Sequence, residues 1–167
     1  MIRTSIWLPV GVIVAITLIV LAISSPNVEP VDTNIASGAT NRAVALTCTS
    51  DMATAFHIHP TLRIVINGKD IEVPPDIGIR SSCMNALHTH DLSGVIHVES
   101  PQTREFTLAD FFAVWEQPFS EYEILTYKAN ASHRIRVSVN GVDVDTYETT
   151  TLKDKDEIII NYETVAP

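Results

Sequence analysis

Cysteine is scarce in this chain: there are two, Cys48 and Cys83, and no Cys-x-x-Cys pair. Basic residues are scarce as well, with 11 Lys and Arg against 20 Asp and Glu, for a formal net charge of −9. A nucleic-acid partner is therefore not expected, because binding phosphates needs a basic surface. The negative field attracts cations, although the same charge also keeps a secreted domain soluble. Familiar catalytic signatures are missing too. There is no phosphate-binding loop, no His-Glu-x-x-His and no nucleophile elbow, since Ser93 before Gly94 has the wrong neighbours for one. These absences leave open whether the chain is an enzyme.

Charge is also absent from residues 6–23, an almost continuously apolar run interrupted only by Pro9, Gly11 and Thr17. That length suffices to cross a bilayer. Arg3 is the only basic residue before the run, whereas Glu29 and Asp32 follow it, so residues 1–5 are expected in the cytoplasm and the rest outside. The run exceeds a signal peptide's apolar region, which favours an uncleaved single-pass anchor. Secretion after cleavage is the alternative, with Ala22 and Ser24 small enough for the cleavage site. No cysteine lies nearby, which argues against a lipoprotein. Residues 24–45 read as a linker and 46–163 as an extracytoplasmic domain, either one unit or two small modules at 46–120 and 121–163.

The expected fold class is α+β, made mostly of antiparallel hairpins with one short helix. Residues 62–66, then Asn67-Gly68, then 71–73 give strand, tight turn and strand; 135–139, Asn140-Gly141 and 142–144 repeat the pattern. The closing stretch 152–162 resembles in shape the closing strands of β-grasp domains, which implies a β-grasp-like C-terminal part. It carries no terminal Gly-Gly for a sulfur-carrier role. Thr107 and Asp110 suggest a capped helix start, and Leu108, Phe111, Phe112 and Trp115 form its apolar stripe, ended by Pro118.

Against these absences stands one concentration. Five of the six histidines lie between residues 57 and 97: His57 and His59, His88 and His90, then His97. Residues two apart on a strand face the same side, so each His-x-His pair aims two imidazoles in one direction. Neutral imidazole is the commonest metal donor, and a set of histidines outside the cytoplasm suits copper or zinc. A hairpin over residues 86–99, turning at 91–94, places His88 opposite His97 and His90 opposite Val95, with Glu99 one step along, provided the loop is even. Some of these rings could equally serve as core or hydrogen-bonding residues.

Asp91 and Glu99 are the candidate carboxylates, orienting an imidazole or, for Glu99, acting as a base beside metal-bound water. Met52 and Met84 are close enough in sequence to suggest Cu(I), though core packing is the simpler role for both. His133 stands apart from the cluster. A Cys48–Cys83 disulfide suits the oxidising compartment; alternatively Cys83, five residues before His88, is a thiolate ligand. Asn130-Ala-Ser132 is a glycosylation sequon, relevant only in a host that modifies exported proteins.

Segments 56–68 (FHIHPTLRIVING), 77–79, 83–101 (CMNALHTHDLSGVIHVESP) and 106–115 (FTLADFFAVW) resemble a group of uncharacterised membrane-anchored extracytoplasmic His-rich proteins of archaea and bacteria. The resemblance runs from about Cys48 to Tyr162. It implies an extracytoplasmic location and a single domain, but no activity. Pro60 departs from the pattern, standing where a further histidine or another residue often follows. Three functions remain in competition: copper or zinc capture or delivery to an envelope protein partner, a zinc or copper metalloenzyme (hydrolase or redox), and a structural or adhesive module without metal.

Overall fold

The computed structural model describes residues 39–51 and 54–165. The apolar run 6–23 and Met52 lie outside the described residues, and among those described no helix is long and apolar enough to cross a membrane. In chain order the elements begin with helix α1 (Asn41–Leu46) and strands β1 (Cys48–Thr49), β2 (Phe56–Ile58), β3 (Thr61–Ile66) and β4 (Lys69–Ile71). Then come β5 (Ile79–Arg80), β6 (Cys83–Asn85), β7 (Leu87–His88), β8 (His97–Ser100) and helix α2 (Leu108–Val114). The rest comprises β9 (Phe119–Ser120), β10 (Glu123–Ile124), β11 (Tyr127–Lys128), β12 (His133–Val139), β13 (Val142–Val144), a 3-10 turn (Tyr147–Thr149) and β14 (Glu157–Thr164). The fold is α+β and dominated by mostly antiparallel sheets.

Both Asn-Gly turns take the left-handed backbone that a two-residue hairpin requires: φ is 51° and 81° at Asn67 and Gly68, and 52° and 79° at Asn140 and Gly141. Their hairpins form the flanks of one five-stranded sheet ordered β13-β12-β14-β3-β4. The last strand, β14, lies between them, antiparallel to β12 and parallel to β3. Alternation along β14 buries Ile158, Ile160 and Tyr162 in a core shared with Leu62 and Ile64 of β3 and Ile135 and Val137 of β12. Residues from 46–120 and from 121–163 thus share one sheet and one core.

Helix α2 contributes Leu108, Phe111 and Phe112 to that core, each phenylalanine adding about 2–3 kcal/mol by burial. The Asp110 carboxylate accepts hydrogen bonds from the Thr107 backbone N–H at 3.0 Å and from its hydroxyl at 3.2 Å, so the helix start is held as the sequence predicts. Helix α1 departs from the expected linker and makes a second helix where one was expected. The Thr40 hydroxyl caps it by accepting from Ala43 N–H, and Ala45 is fully buried. Six residues are too few to show a helical period, which is why the stretch reads as unpatterned.

Candidate metal centre

Strand β8 is the middle of a three-stranded sheet ordered β2-β8-β7. Its burial alternates: Val98 is fully buried in the core, while His97 and Glu99 share the opposite face. Paired residues of antiparallel strands point to the same face, and here His88 of β7 is paired with His97, and His57 of β2 with Glu99. Continuing the β2 register sets His59 opposite His97, but the ladder stops there. Pro60 has no N–H to donate, and its carbonyl accepts from Ile96 N–H instead.

The expected pairing of His90 with Val95 does not form. Beyond His97 toward the turn, residues 94–96 leave β7 and pair with the start of β3: Val95 bridges Thr61, and Leu62 N–H donates to the Gly94 carbonyl at 2.8 Å. Gly94 has φ 77°, and a β-carbon there would collide with the Leu62 carbonyl oxygen, so the loop approaches β3 closely only because the residue is glycine. His90 is consequently exposed just past the end of β7.

Two triads result, His57-His59-His97 and His88-His90-His97, each with candidate donor atoms within 4.8 Å of one another. A tetrahedral ion with bonds of about 2.0–2.1 Å brings its donors to within about 3.4 Å, so no pair has to close by more than roughly 1.5 Å on binding. His97 is the hub: its ring centroid lies 4.6 Å from His59, 5.7 Å from His57, 4.5 Å from His90 and 5.3 Å from His88. On the β2 side, His57 Nε2 lies 3.5 Å from His97 Nδ1 and 3.0 Å from Glu99 Oε1. Glu99 thus sets a carboxylate beside the first triad. The second triad runs inward from exposed His90 to His88, which is 0% exposed.

His88 has the most specific environment. Its Nδ1 lies 3.1 Å from the Asn85 carbonyl, an acceptor, so Nδ1 carries the proton and donates. The other nitrogen, Nε2, then keeps its lone pair, and it is buried with no hydrogen-bond partner among the described residues. A buried acceptor left unpaired costs about 1–3 kcal/mol, and a coordinate bond to a cation would recover that cost. Burial also pushes the His88 pKa down to about 4, outweighing the Asn85 carbonyl and Glu99, which favour protonation. His97 is shifted down as well, first by burial and then by repulsion from His59, His90 and His57. Both effects favour neutral rings, the form that binds metals.

The remaining candidates fall elsewhere. Asp91 lies outside both triads and accepts a hydrogen bond from Ser93 N–H at 2.8 Å; the contact with Ser93 holds its carboxyl below the usual range. His133 belongs to neither triad and stacks on Tyr162 at 4.9 Å. Met84 pairs with Thr49 and Ile79 in the small sheet β1-β6-β5. Cys48 and Cys83 form a disulfide with Cα atoms 5.3 Å apart, so the Cys83 sulfur is not a thiolate ligand in this structure.

Three supporting residues carry no sequence signal of their role. Asn85 acts on His88 through a main-chain carbonyl, and its side chain donates to the Ala45 carbonyl of α1 at 2.9 Å. Thr89 is buried between the two histidines of its motif, donating to the Pro74 carbonyl and accepting from Ile77 N–H. Asp154 accepts from His59 N–H at 3.1 Å across a separation of 95 residues. No family model, curated protein or solved structure matches the chain.

Proposed function

We propose that the chain is a membrane-anchored extracytoplasmic domain that binds copper or zinc through its histidine cluster and captures the ion or delivers it to an envelope protein partner. The observation that carries the metal-binding reading is His88, whose buried Nε2, without a hydrogen-bond partner among the described residues, belongs to a triad with His90 and His97. All-imidazole donors suit divalent copper and zinc better than magnesium or calcium, which prefer oxygen. The exposure of His57 and His90 gives an ion a route in and out, as capture and delivery require. The apolar run 6–23, the charge asymmetry around it and the family resemblance support the location. The sheet order, with β14 parallel to β3 between two hairpins, supports extending the β-grasp reading from the C-terminal part to the whole five-stranded sheet.

Elemental analysis of the purified full-length chain by mass spectrometry tests this reading. Retained copper or zinc is expected. Protein that is metal-free and has no micromolar affinity for either ion overturns it.

Glu99 favours a second reading. A carboxylate 3.0 Å from His57 Nε2, beside a triad with an exposed member, could serve as general base to a metal-bound water in a hydrolytic enzyme. Absorption spectra of the cobalt-substituted chain separate the two readings. An open position with exchangeable water is expected of an enzyme, whereas a closed ligand set argues for binding alone.

A further inference from the structure

We infer that the cluster holds two metal ions, one in each triad, with the His97 imidazole bridging them; this rests on the metal-binding reading above. The two triads have only His97 in common. Their other members approach from opposite edges of β8, His57 and His59 from the β2 side and His88 and His90 from the β7 side. Each pair is a close unit, with ring centroids 4.3 Å apart for His57 and His59 and 4.9 Å for His88 and His90. Ring contacts link both pairs to His97.

An imidazole carries two nitrogens on different edges of its ring. His97 Nδ1 is turned toward His57 Nε2 at 3.5 Å, and the bridge assigns the other nitrogen, Nε2, to the ion held with His88 and His90. The first ion takes the lone pair of one nitrogen. The second takes the electron pair of the other as its N–H proton leaves to solvent, so each bridged pair of ions forms with release of one proton from His97. The sites differ in character. The inner one includes fully buried His88, and the outer one includes exposed His57 with Glu99 beside it, whose negative charge offsets part of the charge of a second cation.

Titration of the metal-free full-length chain with Cu(II), followed by electron paramagnetic resonance, tests the bridge. Two equivalents are expected to bind. The second should suppress much of the signal of the first and produce a half-field transition from exchange coupling through the imidazolate. The variant His57→Ala/His59→Ala, which changes one exposed and one half-buried residue, should bind one equivalent with a full, uncoupled signal. His97→Ala should abolish coupling. Saturation at one equivalent, or two equivalents with independent signals, overturns the bridge while leaving metal binding intact. No bound copper together with no zinc affinity overturns the metal-binding reading itself.

Discussion

Burying an imidazole in its neutral form ties the stability of the metal-free chain to pH through His88. Its pKa lies at about 4 in the folded chain against an ordinary value of 6.5. Above the ordinary value the ring is neutral in both states. As pH falls from there toward 4, the unfolded chain takes up a proton that the folded chain refuses, and stability drops, by at most about 3 kcal/mol once complete. His97, shifted in the same direction, adds to the loss. Urea unfolding of the metal-free chain should show its midpoint falling between about pH 7 and about pH 4.5, with a smaller fall in His88→Leu. An equal fall in that variant would remove His88 as the cause. Glu99 makes a separate claim, because its carboxylate contacts His57 of the outer triad directly, whereas it reaches His88 of the inner triad only as a weaker, longer-range charge. Glu99→Gln should weaken binding at the outer triad about tenfold by calorimetry, a typical cost for a group supporting a metal ligand, and weaken the inner triad less.

At the scale of elements, the cluster depends on β8 being held between β2 and β7 while its leading segment is drawn onto β3. Gly94 makes that approach possible, and Gly94→Ala is expected to cost about 2 kcal/mol or more in urea unfolding and to weaken metal binding, since His90 and His97 flank the displaced loop. The Cys48–Cys83 bridge, spanning 35 residues, joins β1 to the strand immediately before His88. Replacing both cysteines with serine should remove about 4 kcal/mol of stability through the added freedom of the unfolded chain, measured as a lower unfolding midpoint. The same elements explain what can be read without a structure. Asn-Gly hairpins and the Thr107-capped helix announce themselves locally, and the pairing of His88 with His97 follows from the even-loop hairpin register. The absence of a His90–Val95 pair is illegible because β3, more than thirty residues upstream of Val95, recruits residues 94–96. Asn85 and Asp154 escape notice for similar reasons: one works through its backbone, the other through a partner 95 residues away.

For the molecule as a whole, two flanking hairpins, the long last strand and α2 build a core on which a small sheet displays its histidines. The net charge of −9 gives the chain a field that favours cations over anions. X-ray absorption at the copper or zinc edge of the metal-loaded full-length chain tests the central claim most directly. The account predicts a first shell dominated by imidazole nitrogen at about 2.0–2.1 Å, with the multiple scattering of at least three histidine rings. A shell of oxygen alone, or one containing sulfur, would contradict it.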